Sequence, residues 1–198
     1  MSDHRFLILH GAENRRPPEH WQHWLAEELR RRREIVLYPQ LPDPDNPSLQ
    51  TWLELVRAEL AQLGDSERIV LCHSLGALAW LHLAGRLSTG ERVHRVLLVS
   101  PPSPDILWPE IARFAPPADL SPESLAAASE VTRIVCSDAD PYCPEGADRI
   151  YAEPLGVPAD QIPGAGHLRG PRSTTLPGER DGPARVRAGE ETLLRGDS

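Results

Sequence analysis

Short apolar runs of strand length alternate along the chain with segments whose apolar residues recur at helical spacing. The runs that predict strands cover residues 5–10, 35–38, 69–72, 93–100 and 131–137, with a further short run near Gln161. Between them, the spacing predicts helices over 17–33, 47–63 and 75–87, and another near 143–152. Parallel strands need crossover connections, and right-handed crossovers place the helices on both faces of the sheet. The pattern therefore predicts one α/β domain around a doubly wound, mostly parallel sheet of about six strands.

One of these strands ends in a serine that opens a helix. Residues 69–79 read Ile-Val-Leu-Cys-His-Ser-Leu-Gly-Ala-Leu-Ala, which predicts a strand, a sharp turn at Ser74 and a helix. Such a turn sets the hydroxyl over free N–H groups at the helix start, where negative charge is favoured. This is typical of an acyl-transfer nucleophile, although Cys72 stands where the G-x-S-x-G pattern has its first glycine. The alternative is that Ser74 is only the N-cap of the helix.

Two later strand ends supply an acidic residue and a histidine. The strand over 131–137 enters a loop with Asp138 and Asp140, and the glycine loop 164–166 ends at His167. Taken singly, an aspartate before proline is typical of a turn, and a histidine after glycine is typical of a surface loop. Both lie at the carboxyl end of a strand, where open parallel sheets carry their chemistry. The order serine, acid, histidine is the order of a catalytic triad in an α/β-hydrolase.

The loop after the first strand is the second candidate part of a site. In a sheet of order 2-1-3-4-5-6, this loop meets the serine turn at the topological switch point. Gly11 allows the loop to direct its amides inward, so the N–H of Ala12 or Glu13 is expected to join that of Leu75 in an oxyanion hole. The alternative is that Gly11 only ends a strand.

A Pro-rich connection separates the strands that end at Ser100 and begin at Val131. Its length of about thirty residues leaves room for a short excursion over the site and none for a large lid. Its apolar residues are expected to form an acyl pocket, with one tryptophan of the first helix as a further wall. The expected pocket residues are Ile106, Trp108, Phe114 and Trp21.

Composition agrees with one compact enzyme domain. The chain has 198 residues, 40% hydrophobic and 25% charged, enough for one sizeable core. A formal net charge of -8 argues against nucleic-acid binding. No apolar run is long enough for a bilayer and no signal-peptide core follows Met1, so we expect a cytoplasmic protein without a membrane partner. The three cysteines at 72, 136 and 143 are expected to be reduced thiols.

Five motifs together resemble the small serine hydrolases of the RBBP9/YdeN family. They are Leu-Ile-Leu-His-Gly at 7–11, His-Trp-Gln-His-Trp-Leu at 20–25, His-Ser-Leu-Gly at 73–76, Ser-Asp-Ala-Asp-Pro-Tyr at 137–142 and Gly-Ala-Gly-His at 164–167. The resemblance covers roughly residues 5–168, and the combination is far more specific than any single motif. It implies an α/β-hydrolase-like fold with little or no lid.

The resemblance also implies roles for residues. Ser74 would be the nucleophile, His167 the base and Asp140 the acid, since Asp140 rather than Asp138 matches the Asp-Pro-Tyr of the family. The implied reaction is the hydrolysis of small carboxylic esters, or of amides, without metal or organic cofactor. His20 and His23 form a possible metal pair by spacing, but they lack a third ligand, so no metal site is expected.

Two other classes of protein remain open at this stage. A non-catalytic binding or scaffold protein could retain the same fold, because fold does not fix function. A flavodoxin-like redox protein fits less well, since the loop after the first strand lacks the residues of a phosphate cradle. The sequence does not identify protein partners.

The chain departs from the resemblance after Leu168. The relatives typically continue with Ser-Gly, a Trp-Pro-x-Gly stretch and an amphipathic helix, whereas residues 169–198 are rich in Gly, Pro, Arg and Glu. Such a segment buries too little apolar surface to offset its ordering entropy. We therefore expect a hydrolase domain over 1–168 and a disordered tail over 169–198. A reading-frame shift after Leu168 is our hypothesis for the tail, and another frame of the coding DNA should then encode the missing stretch.

Overall fold

The computed structural model describes residues 4–170. Within these residues, six strands form one sheet in which every pair of neighbours is parallel. They are β1 (His4–Leu9), β2 (Ile35–Leu37), β3 (Glu67–His73), β4 (Val93–Val99), β5 (Ser129–Cys136) and β6 (Ala159–Gln161). Their order is β2-β1-β3-β4-β5-β6, so the predicted doubly wound sheet is confirmed. The expected disorder of the tail from residue 171 onward lies outside the described residues.

In the described part of the chain, five helices connect the strands. They are α1 (Trp21–Arg31), α2 (Leu49–Gln62), α3 (Leu75–Ala84), α4 (Pro122–Ala128) and the single turn α5 (Glu153–Leu155), which follows a π-helical turn over Asp148–Ala152. Short 3-10 turns lie at Thr89–Glu91, Pro104–Ile106 and Ala112–Phe114. The last two belong to the connection between β4 and β5, which makes only a short excursion from the domain.

The largest errors of the sequence analysis concern helix starts. The first helix begins at Trp21 rather than at Pro17, because residues 17–20 form a turn in which the His20 N–H donates to the Pro17 carbonyl. His20 then caps the helix, its Nδ1 accepting from the Gln22 N–H at 3.3 Å. Helix α4 was not predicted; it begins where Ser121 caps a first turn that opens with Pro122.

The core lies on both faces of the sheet. On one face, α1 packs its apolar side against β1 and β3 through Trp21, Leu25 and Leu29. On the other, every residue of α3 is buried, because the helix lies over the sheet and is flanked by α2 and α4. A helix that is apolar on all sides requires such a position. The packing brings the start of α3 close to the carboxyl ends of β1 and β4.

Candidate active site

Ser74 occupies a strained turn between β3 and α3. Its φ of 53° and ψ of -122° lie outside the ordinary regions for a residue with a Cβ. Its N–H donates to the Val99 carbonyl at the end of β4, at 2.9 Å, and its carbonyl accepts from the Ala77 N–H, also at 2.9 Å. The hydroxyl makes no capping bond to the helix. The Ser74 side chain therefore does not cap α3, contrary to the N-cap alternative.

Two glycines allow the chain to approach this turn closely. A Cβ added to Gly76 would lie 2.6 Å from the His10 carbonyl oxygen and 2.9 Å from that of Leu9. A Cβ added to Gly11 would lie 2.8 Å from the Cβ of Ser74. Real Cβ atoms do not come so near, so both positions need glycine for the end of β1 to meet the start of α3.

Ser74, His167 and Asp140 form one hydrogen-bonded chain. The Ser74 Oγ lies 2.9 Å from the His167 Nε2, and the His167 Nδ1 lies 2.9 and 3.0 Å from the two carboxylate oxygens of Asp140. His167 and Asp140 are each 3% exposed. A carboxylate can only accept here, so Nδ1 carries the proton and Nε2 is free to accept from the serine hydroxyl. The arrangement can therefore activate Ser74 as a nucleophile.

The loops that carry the acid and the histidine are tied to each other. Asp140 Oδ1 accepts from the Tyr142 N–H at 2.9 Å, which fixes the carboxylate within its own turn. The Ser137 hydroxyl accepts from the Ala165 N–H at 3.0 Å, and Asp138 Oδ1 accepts from the Gly164 N–H at 2.7 Å. Asp138 therefore holds the glycine loop, whereas Asp140 reaches the histidine.

Two backbone N–H groups beside Ser74 are available as donors. Within residues 4–170, neither the Leu75 N–H nor the Ala12 N–H donates to a protein acceptor. The Glu13 N–H donates to the Pro44 carbonyl at 2.7 Å, so the expectation that Glu13 could serve in an oxyanion hole is wrong. The competing bond arises because Glu13 turns back at a φ of 54° toward the loop after β2.

His10 sets the direction of the Ala12 amide. Its Nδ1 lies 2.8 Å from the Gly11 carbonyl, and its Nε2 lies 2.8 Å from the Leu41 N–H. A carbonyl only accepts and an N–H only donates, so the proton is on Nδ1. Because a trans peptide holds its C=O and N–H on opposite sides, the bond to Gly11 directs the Ala12 N–H away from His10.

A cleft of about 370 Å³, which includes space open to solvent, contains Ser74. Ala12 and Leu75 line it beside the serine, and Ile106, Leu107 and Trp108 line it from the excursion. The expectation that Trp21 and Phe114 contribute is wrong. Both rings are buried in the two halves of the core: Trp21 on the α1 face, and Phe114 edge-on against Trp52.

Comparisons with known proteins assign the family. A family model described as "Serine hydrolase" matches residues 6–172. The chain belongs to this serine hydrolase family. A search of the curated proteins finds no match to it. Among solved structures, the fold is similar to that of the YdeN gene product of B. subtilis, with a TM-score of 0.72 and 19% identity over 83% of this chain and 88% of that one.

Two further structures extend the comparison. A protein described as YdeN-like from Pectobacterium atrosepticum matches with a TM-score of 0.65 and 22% identity, over 97% of this chain and 93% of that one. Est1E from Butyrivibrio proteoclasticus matches with a TM-score of 0.67 and 17% identity, over 96% and 86%. At these identities the likeness shows the shared α/β-hydrolase fold. The family model gives the class of enzyme, a serine hydrolase.

Buried histidines lie near the His167 of this serine hydrolase. The ring centroid of His73 lies 5.0 Å from that of His167 and 4.8 Å from that of His20. Burial lowers the pKa of His73 well below its usual value, and burial together with the charge of Arg169 lowers the pKa of His20 to about 4. Burial also lowers the pKa of His10 to about 4. These rings are therefore neutral at pH 7 and add no positive charge beside His167.

Tyr142 and Arg169 were missed by the sequence analysis. The Tyr142 ring packs against the His167 ring at 4.6 Å, and the Arg169 guanidinium lies over Tyr142 at 5.3 Å. Both line the cleft of the serine hydrolase. The sequence presents Tyr142 only as part of a motif, and nothing in it indicates that Arg169 returns to the site.

Within residues 4–170, no helix is long and apolar enough to cross a membrane, and no cluster of side chains could hold a metal ion.

Proposed function

We propose that this serine hydrolase cleaves small carboxylic esters, with amides as the second class, through a triad of Ser74, His167 and Asp140. The observation that carries the proposal is the unbroken chain of hydrogen bonds from the serine hydroxyl through the imidazole to a buried carboxylate. A serine hydroxyl is a weak nucleophile by itself, and a base in hydrogen-bond contact with it supplies the activation that it lacks.

The proposed reaction has two halves. In the first, Ser74 Oγ attacks the ester carbonyl carbon while His167 Nε2 takes its proton. The N–H groups of Leu75 and Ala12 bind the resulting oxyanion, and Asp140 stabilises the imidazolium through Nδ1–H. His167 then protonates the leaving oxygen as the acyl C–O bond breaks, leaving an acyl-enzyme on Ser74. In the second half, His167 activates a water that releases the carboxylic acid.

The size and lining of the cleft support a small substrate. The enclosed part of the cleft is smaller than about 370 Å³, because that volume includes space open to solvent. The side chains of Ile106, Leu107 and Trp108 offer an apolar surface for a short acyl chain. Est1E, which is similar in fold, was also solved with ferulic acid bound, a small carboxylic acid. We therefore expect short acyl chains to be better substrates than long lipids or folded proteins.

A fluorophosphonate probe tests the proposal directly, because it reacts with serines that have been activated as nucleophiles. The folded protein should be labelled at one serine, which peptide mapping should identify as Ser74. Ser74→Ala should abolish labelling and lower the turnover of p-nitrophenyl acetate by about 10⁴-fold, as expected when a triad acts as a unit. A folded wild-type protein that is not labelled would favour the alternative, a binding or scaffold protein that retains the fold.

A further inference from the structure

Arg169 places a positive charge at the cleft that contains Ser74. Most arginines of residues 4–170 bond to a carboxylate or a carbonyl, as Arg57 does with Glu91 and Arg133 with Asp160. Within that same range, the Arg169 guanidinium has no hydrogen-bond or ion-pair partner and contacts the Tyr142 ring. An exposed guanidinium that faces a substrate cleft and has no acidic partner is free to bind an anion.

Backbone contacts of Arg169 and Gly170 determine the position from which the Arg169 side chain extends. Its carbonyl accepts from the N–H of Trp21, the first residue of α1, at 3.3 Å. Gly170 follows with a φ of 138°, and a Cβ there would lie 2.5 Å from the Glu19 carbonyl oxygen. The segment therefore docks closely on the residues that precede α1, and the guanidinium at the far end of the side chain lies over the Tyr142 ring.

The position of Arg169 places its positive charge near the leaving group of the substrate rather than near the acyl chain. His167 must protonate the leaving oxygen of the ester, so the leaving group lies against the His167 side of the cleft. Tyr142 packs on His167, and Arg169 lies over Tyr142. The acyl chain extends the other way, toward the apolar residues of the excursion. Glu13 is the acidic residue that lines the cleft, and it follows Ala12, whose N–H is proposed to bind the oxyanion.

We propose that Tyr142 and Arg169 form a leaving-group subsite for alcohols that carry a carboxylate, so that the favoured substrates are acyl esters of hydroxy acids. The inference rests on the proposed function and adds the class of alcohol to it. An aromatic hydroxy acid uses both residues, since its ring stacks on Tyr142 and its carboxylate pairs with the guanidinium.

A matched pair of substrates tests the subsite. Hydrolysis of 4-acetoxybenzoate gives acetate and 4-hydroxybenzoate, and its methyl ester reacts at the same bond without the negative charge. In Arg169→Gln, the ratio of kcat/KM for the charged substrate to that for the neutral one should fall about tenfold relative to wild type, mostly through KM. Arg169→Lys should restore part of the ratio. Comparing ratios between variants cancels the different reactivities of the two esters.

Arg113→Gln provides the control for net charge. Arg113 is exposed and does not line the cleft, so its removal should leave the substrate ratio unchanged. If Arg169→Gln hydrolyses both esters with the wild-type ratio, the subsite proposal is overturned. An equal fall in both Arg variants would also overturn it, because the preference would then come from overall charge.

Binding of the product separates this proposal from the proposed function. The Ser74→Ala protein should bind 4-hydroxybenzoate about tenfold more tightly than the double variant Ser74→Ala/Arg169→Gln does, as measured by calorimetry, whereas 4-hydroxybenzamide should show no such difference. If Ser74→Ala remains active, the proposed nucleophile is wrong even where this binding difference is found. If Ser74 is labelled but the binding difference is missing, only the subsite is wrong.

Discussion

Two aspartates lie in the loop after β5, and their side chains bond to different groups. Asp140 is 3% exposed and bonds to the His167 Nδ1, whereas Asp138 is exposed and accepts from the Gly164 N–H. Only the first can stabilise an imidazolium, because only its carboxylate contacts the ring. The second steadies the loop that carries His167, a role for which any acceptor oxygen suffices.

These contacts predict opposite results for two identical substitutions. Asp140→Asn should lower kcat for p-nitrophenyl acetate by about 10³- to 10⁴-fold, because the amide favours the wrong histidine tautomer. Asp138→Asn should change kcat by less than about threefold, since the asparagine oxygen can still accept from Gly164. The circular dichroism spectra of both variants should match wild type. A larger loss in Asp138→Asn than in Asp140→Asn would reverse the assignment of the acid.

At the residue scale, the sequence predicts the location of those site residues whose position follows from the local sequence pattern. Ser74 follows a strand and precedes a helix, and His167 ends a glycine loop, so both could be placed at the edge of the sheet. Glu13 could not be excluded, because its N–H is bound by Pro44, which is distant in sequence. Trp21 and Phe114 were wrongly placed in the pocket, since apolar residues near a site and apolar residues in the core look alike in a sequence.

The contact between β1 and α3 is the element-scale feature on which the serine turn depends. Helix propensity alone favours alanine over glycine at position 76 by about 1 kcal/mol. The Cβ of Gly76→Ala would, however, collide with the carbonyl oxygens of His10 and Leu9. These atoms are backbone, so α3 must shift away from β1 and carry Ser74 and the Leu75 N–H with it.

Gly76→Ala should therefore destabilise the protein by about 1–3 kcal/mol and lower kcat more than KM. Urea unfolding and ester kinetics measure the two effects. Gly85→Ala is the matched control at the other end of the same helix, because nothing lies within 4 Å of its added Cβ and its φ of -71° suits alanine. It should be neutral or slightly stabilising. Equal behaviour of the two variants would contradict the role assigned to the contact.

Strands and helices were predictable where a single feature, the spacing of apolar residues along the chain, determines them. Alternation of strands and crossovers gave all six strands, with ends displaced by up to two residues. Helix α4 was hidden because a Pro-rich composition suggested irregular structure, although Ser121 and Pro122 are good starting residues for a helix. The predicted start of the first helix is too early, since Pro18, Glu19 and His20 are as compatible with a turn as with a helix.

For the whole molecule, the buried histidines couple folding to pH. His10 and His20 have pKa values of about 4 in the folded protein against an ordinary 6.5, chiefly because burial disfavours the charged ring. Burial shifts the pKa of His73 in the same direction. Between pH 6.5 and about 4, the unfolded chain binds protons at these rings and the folded protein does not. Stability must therefore fall as the pH falls through that window.

Replacing His20 tests this coupling. His20→Asn removes one of the titrating rings while an asparagine still caps α1 well, so the fold should be retained. Between pH 7 and pH 5, the free energy of unfolding in urea should fall less steeply in the variant than in wild type, by on the order of 1 kcal/mol per pH unit once the pH is below the ordinary pKa of the ring. Unfolding must be the measurement, because it reports the stability of the fold directly and does not depend on the state of the catalytic groups. Parallel curves for the two proteins would mean that His20 is protonated as readily in the folded chain as in the unfolded one.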